Sequence, residues 1–152
     1  MWHQRGKCDV FSECVADYTV MLMLMSIRKM KRIMQREESM TFASWYSGKE
    51  MPSFTVGVIG TGRIGRAVIR DISGFGCQIY AYDQYENDEV KKYAQYASLD
   101  EIYEKCDMIT LHMPLTKENM HLIDAEAIQK MQDGVVLINY SEGRIDRYES
   151  VN

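Results

Sequence analysis

The spacing of apolar positions along this chain changes several times, and each change marks an element. Thr55 to Ile59 is a short unbroken apolar run rich in β-branched residues, the pattern of a strand buried on both faces of a parallel sheet. The period then becomes helical, with Ile64, Ala67, Val68, Ile72 and Phe75 on one stripe that stops at Gly74 and Gly76. A second apolar run, Cys77 to Tyr82, ends in Asp83 and completes a predicted βαβ unit. Asp107 to His112, stopped by Pro114, and Val135 to Asn139 read as two more buried strands. Between them, Glu86 to Lys92 is charged surface loop and short helix. Ser98 and Glu101 form a capping box that turns Ile102 and Tyr103 inward. Asp124 caps a helix with Ala127, Ile128 and Met131 on its inner face, closed by Asp133 and Gly134. Strands alternating with helices over short connections predict an α/β fold with an open, doubly wound parallel sheet.

Before this unit, Val15 to about Met40 is predicted as one long helix of changing character. Val20 to Met25 is apolar all round, which implies burial on every side, between its own sheet and a second domain or subunit. Further on, Ile27, Met30, Ile33 and Met34 form a single stripe opposite Arg28, Lys29, Lys31 and Arg32, a solvated basic face. Met21, Met23 and Met25 suit core and interface equally. Met1 to Val10 show no period, and Thr41 to Ser53 is a polar connection.

Composition narrows the function classes. The chain has 152 residues, enough for one domain with a real core, and a net charge of −4. No basic stripe exists to meet a phosphate backbone, so nucleic acid is not an expected partner. The longest apolar run falls well short of the ~20 residues a membrane span needs. Cys8, Cys14, Cys77 and Cys106 show no paired spacing, which points to reduced thiols and a cytoplasmic setting. His3, Cys8 and Cys14 match no zinc pattern, so no metal site is expected.

The chemistry is concentrated where the first strand meets its helix, at Gly60-x-Gly62-x-x-Gly65. Gly60 permits the tight turn, Gly62 lets backbone approach a pyrophosphate, and Gly65 lets helix and sheet pack closely. Arg63 and Ile64 offer amides at the helix N-terminus, where the dipole favours an anion. Asp83, at the tip of the second strand, can accept hydrogen bonds from ribose hydroxyls and would repel a 2′-phosphate, so NAD is favoured over NADP. In such sheets a ligand lies beyond the carboxyl ends of the strands at the switch point. That adds Met113 and Pro114 after the third strand, and residues 139–142 after the last. His112 and His121 read as structural rather than proton-carrying residues.

Several stretches together resemble the NAD-dependent D-isomer-specific 2-hydroxyacid dehydrogenases, and within them the D-lactate dehydrogenase branch. They are FSECVADYTVMLMLM, TVGVIGTGRIGRAV, GFGCQIYAYD, SLDEIYEKCDMITLHMPLT, HLIDAEAIQKM and GVVLIN, running from about Phe11 to Asn139. The resemblance implies a Rossmann-type NAD-binding domain over residues 15–152, C-terminally incomplete. It makes residues 1–14 the remnant of a linker from a missing substrate domain, and the long helix a hinge that also contributes to a homodimer interface through Val15 to Met25. Gly60, Gly62 and Gly65 would form the cofactor turn. Arg63 and Ile64 would meet the pyrophosphate, and Asp83 the adenosine ribose. Met113 and Pro114 would line the adenine and ribose side, Asn119 would contact the central portion, and Tyr140 would approach the nicotinamide carboxamide.

The family reaction is reduction of a small 2-keto acid to a D-2-hydroxy acid by NADH. The glutamate and histidine that carry proton transfer in the family lie past the last strand here, so no catalytic residue is assigned in this chain. The family's substrate-anchoring arginine falls in an Asn-x-x-Arg-Gly stretch, where this sequence has Asn139, Tyr140, Ser141, Glu142 and Gly143. Glutamate would repel a 2-keto carboxylate; Arg144 could take the arginine's place if the loop shifts. The chain alone is therefore expected to bind NAD weakly or not at all and to turn over no pyruvate. The alternative is a non-catalytic, NAD(H)-responsive interaction module like the family's corepressor members. A Rossmann-type enzyme of other chemistry, such as a methyltransferase, fits the glycine spacing less well.

Overall fold

The computed structural model describes residues 7–30, 34, 48–114, 116–117, 119 and 121–139. Helix α1 (Lys7–Ile27) comes first, and a 3-10 turn at Met51–Ser53 leads into strand β1 (Thr55–Ile59). Helix α2 (Arg63–Ser73), strand β2 (Gln78–Tyr82), a 3-10 turn at Val90–Lys92 and the two-residue strand β3 (Gln95–Tyr96) follow. The chain continues through α3 (Leu99–Lys105), β4 (Met108–Leu111), α4 (Ala125–Lys130) and β5 (Val136–Asn139). The five strands form one sheet in the order β3-β2-β1-β4-β5. All four pairings are parallel, with Val56 opposite both Ile79 and Met108.

Alternation along the strands supplies two cores, one on each face of the sheet. Val56, Val58, Ile79, Ala81, Met108 and Ile138 join Ala16, Met23 and Ile27 of α1 and Ala67, Val68, Ile69 and Ile72 of α2. Ile59, Tyr80, Ile109 and Leu111 pack on the other face with Ile102, Tyr103 and Cys106 around α3 and with Ala127 of α4. Helices on both faces of a parallel sheet make the doubly wound fold that the pattern predicted. Gly57 belongs to the second face: a Cβ there would stand 2.6 Å from Ile102 Cγ2, so the glycine is what lets α3 lie against β1.

The caps at Ser98 and Asp124 form as the sequence implied. Ser98 and Glu101 make a complete capping box, and Asp124 accepts from the Ala127 amide at 2.8 Å. Several expectations need correction. The predicted long helix from Val15 to Met40 begins earlier and is interrupted: α1 spans Lys7–Ile27, unbroken through positions 14 and 15, Met30 and Met34 are again helical, and residues 31–33 and 35–40 lie outside the described residues. Helix α1 ends where Lys29 adopts a left-handed φ of 52°, which no L-residue helix can continue through. The chain returns to this end at Gly48 (φ 67°), and the Lys49 amide donates to the Ile27 carbonyl, 3.2 Å away.

Within this chain the helix is buried on one side, and the burial expected from a second domain or subunit is untested by it. Val15, Ala16, Thr19, Met23 and Ile27 face inward, whereas Met21 is 42% and Met25 39% exposed. Phe75 and Ile128, expected on inner faces, are exposed: Phe75 lies past the end of α2, and in α4 Ala127 is the buried residue. Strand β3 was not foreseen: two residues are too few to show a period. In the described sheet β5 lies at an edge, and Val136 and Leu137 are only partly buried. No described helix is long and apolar enough to cross a membrane.

Candidate functional site

The strand order reverses between β1 and β4, which opens a crevice at their carboxyl ends. The glycine turn sits there. Gly60 has φ 95°, and a Cβ on it would meet the His112 carbonyl carbon at 2.8 Å and the Met113 amide at 2.9 Å. The loops after β1 and β4 therefore touch through that missing side chain. A Cβ on Gly65 would stand 1.9 Å from the Gly60 carbonyl oxygen, so this position must be glycine for α2 to leave the strand at all.

Gly62 is different. A Cβ there would meet none of the described residues within 4 Å, and its φ of −64° suits any residue. Nothing among the described residues requires this glycine, so the space above it is a cradle that a side chain would fill. Gly62 is also the N-cap of α2, and Arg63 and Ile64 follow in the first helical turn. The amides of such a turn have no carbonyl four residues back inside the helix, and they point outward with the positive end of the dipole.

Asp83 ends β2 beside this turn. Its Oδ2 accepts from the Thr61 amide at 2.6 Å and from the Thr61 hydroxyl at 3.1 Å, while Oδ1 accepts from the Tyr85 amide at 3.2 Å. The Thr61 hydroxyl lies 2.9 Å from the Tyr96 hydroxyl, which also accepts from the Asn87 amide at 2.9 Å. The acid is thus locked to the glycine turn by a threonine and to strand β3 by a tyrosine. Neither Thr61 nor Tyr96 was named from the sequence. The signal for Thr61 was a hydroxyl residue between the first two glycines, whereas Tyr96 had none before β3 was known.

The loop after β4 holds the other predicted residues. Met113 is partly buried and Pro114 exposed. The Asn119 amide nitrogen donates to the Pro114 carbonyl at 2.8 Å and to Met113 Sδ at 3.3 Å, and its Oδ1 accepts from the Thr116 amide at 2.6 Å. Asn119 therefore builds the loop that carries Met113 and Pro114 toward the crevice. Tyr140, Glu142 and Arg144 lie outside the described residues. His112 bonds to the Thr110 hydroxyl at 2.9 Å, and burial pushes its pKa down to about 4. A ring held neutral this firmly is a packed residue and a poor proton carrier near neutral pH.

A separate groove of about 500 Å³ runs along the outer side of α2, lined by Glu13, Arg63, Arg66, Arg70, Glu89 and Lys92 among others. It shares only Arg63 with the glycine turn. Arg66 bonds Glu89 at 3.2 Å, and Arg70 clamps Glu13 with two bonds of 3.1 and 2.6 Å, so the groove is a set of ion pairs joining α1, α2 and the 3-10 turn.

Comparison with known proteins agrees with this geometry. An aromatic 2-oxoacid reductase of Clostridium sporogenes is 47% identical over 133 residues, which is 86% of this chain and 40% of the reductase. A D-lactate dehydrogenase of Lactiplantibacillus pentosus is 48% identical over 98 residues, 64% of this chain and 30% of that protein. Among solved structures, D-lactate dehydrogenase from Aquifex aeolicus complexed with NAD and lactic acid superposes with a TM-score of 0.83 at 39% identity. That match covers 88% of this chain and 41% of the enzyme. The chain thus spans less than half the length of these relatives. The family model for the D-isomer specific 2-hydroxyacid dehydrogenase NAD binding domain matches residues 20–150, and the chain belongs to that family.

Proposed function

We propose that this chain is the NAD-binding part of an oxidoreductase that interconverts a small 2-keto acid and the corresponding D-2-hydroxy acid. The observation that carries the reading is Gly62, a glycine that packing among the described residues does not need, set between two glycines that it does need and beside Asp83. A dinucleotide fits that arrangement. Gly60, Gly62 and Gly65 leave room for the pyrophosphate, and the Arg63 and Ile64 amides meet its charge. Asp83 accepts from the adenosine ribose, and Met113 and Pro114 border the adenosine side on a loop braced by Asn119. Tyr140 is assigned to the nicotinamide end by resemblance to the family. NAD, when bound, supplies the hydride acceptor or donor. The chain's own part is to bind, to orient and to exclude a 2′-phosphate through the Asp83 carboxylate. The exposed face of α1 supports a homodimer formed through the Val15 to Met25 segment, and cysteines without paired spacing support a reducing, cytoplasmic setting.

Titration of the chain with NADH and NADPH, followed by cofactor fluorescence, tests the reading. Saturable though weak binding of NADH, with NADPH weaker still, is the expected result. A flat titration into the millimolar range by cooperatively melting protein joined to the substrate domain of a relative would overturn it. Glu142 favours a second reading, an NAD(H)-responsive interaction module, because a glutamate where the family anchors its keto acid removes the clamp on substrate. Full-length protein that binds NADH yet reduces no 2-keto acid, and recovers reduction with Glu142→Arg, would decide for that reading.

A further inference from the structure

The Asp83 network has a direction that its chemistry fixes. A carboxylate only accepts, so the Thr61 hydroxyl donates its single proton to Asp83 Oδ2. That hydroxyl must then accept from Tyr96, and the Tyr96 oxygen in turn accepts from the Asn87 amide. The chain of donors runs Asn87, Tyr96, Thr61, Asp83, from the outermost strand into the glycine turn, through a threonine that is only 5% exposed. Its effect on Asp83 is specific. Both Thr61 bonds fall on Oδ2, whereas Oδ1 takes one bond, the long one from the Tyr85 amide. A carboxylate oxygen accepts two hydrogen bonds, so one position stays open on Oδ1, and a second is released if the Tyr85 bond gives way. The one position open in the structure suits a single ribose hydroxyl, the 2′.

We propose that Tyr96, acting through Thr61, is a positioning residue that turns Asp83 Oδ1 toward the adenosine ribose and so sets affinity and selectivity for a dinucleotide with a free 2′-hydroxyl. The proposal rests on the NAD-site reading above and assigns to the β3 edge strand a role in cofactor choice. Removing the Tyr96 hydroxyl leaves the Thr61 oxygen without its donor, which weakens the bond the Thr61 hydroxyl makes to Oδ2, and strips the Asn87 amide of its acceptor. The carboxylate keeps its charge and its amide bonds from Thr61 and Tyr85 but is held less tightly through the Thr61 hydroxyl, so Oδ1 is aimed less sharply.

The test measures dissociation constants of the chain for NADH and for NADH lacking the 2′-hydroxyl on its adenosine ribose, in a cycle of Tyr96→Phe, Asp83→Ala and the double variant. Tyr96→Phe is expected to weaken NADH by about five- to tenfold, the value of roughly one neutral hydrogen bond, and to leave the deoxy analogue nearly unchanged. In the Asp83→Ala background the same substitution should change nothing further. Should Tyr96→Phe fail to fold, Thr61→Val against Thr61→Ser decides, the serine recovering most of what valine loses. Equal losses for both ligands, additive losses in the cycle, or unchanged binding by Tyr96→Phe would each overturn the positioning role while leaving the cofactor site standing. Unaltered protein that binds neither ligand would overturn the site reading and this proposal with it.

Discussion

Gly62 and Gly65 stand in one turn, and a methyl group added to each has opposite consequences. At Gly65 the new carbon would sit 1.9 Å from a backbone oxygen, which neither strand nor helix can vacate. Gly65→Ala should therefore destabilise the fold by about 3 kcal/mol, seen as a lower urea midpoint. Gly62→Ala meets open space at an ordinary φ, so its stability should stay within about 0.5 kcal/mol while NADH binding falls by roughly tenfold or more. Equal stability losses in the two variants would count against the cradle. His112 yields a pH dependence. Its folded pKa of about 4 lies below the ordinary value of 6.5, so between these limits the unfolded chain takes up a proton that the folded chain refuses. The stability it supports is complete above about pH 6.5 and declines as pH falls toward about 4, by at most about 3 kcal/mol. His112→Gln, which keeps a partner for Thr110, should flatten that slope in urea unfolding at about pH 7 and about pH 5. The glycines and Asp83 were readable because their roles follow from backbone geometry and spacing. Thr61 and Tyr96 were not, because their pairing joins residues far apart in sequence and depends on a register only the folded sheet creates.

Strands β1, β2, β4 and β5 were legible because buried parallel strands are continuous apolar runs, and α3 and α4 because capping residues mark their starts. Strand β3 escaped for want of length. The end of α1 escaped for a different reason: apolar positions at helical spacing continue past Ile27, and nothing in their period announces that Lys29 takes a left-handed conformation. The stop is set from outside the helix, where Gly48 packs against Ile27 and Arg28 and the Lys49 amide takes the Ile27 carbonyl. A lysine at that φ carries a Cβ penalty that glycine does not. Lys29→Gly should accordingly raise stability by about 0.5–1 kcal/mol in urea unfolding, after the entropy glycine adds to the unfolded chain is subtracted. A loss of stability would show that the lysine side chain makes contacts worth more than the strain.

Helix α1 has two apolar sides, and the chain uses one. Val15, Ala16, Thr19, Met23 and Ile27 are buried, mainly against α2, while Phe11 (66% exposed), Tyr18 (43%), Met21 (42%) and Met25 (39%) lie on the far side. The far side carries large apolar groups at the spacing of successive turns, where a solvated helix would carry charge. Left in water it favours self-association, since contiguous apolar surface of this kind is what interfaces bury. The chain is expected to sediment as a dimer or larger species. Met21→Lys with Met25→Lys should shift it toward monomer without lowering its urea midpoint, because neither side chain belongs to the buried stripe. Met23→Lys, by contrast, would place a charge where the side chain is fully buried and should unfold the protein before any question of assembly arises. The comparison separates the helix's internal packing from its external contact. An unaltered chain that runs as a monodisperse monomer in sedimentation velocity would mean that this face is covered by something other than a second copy.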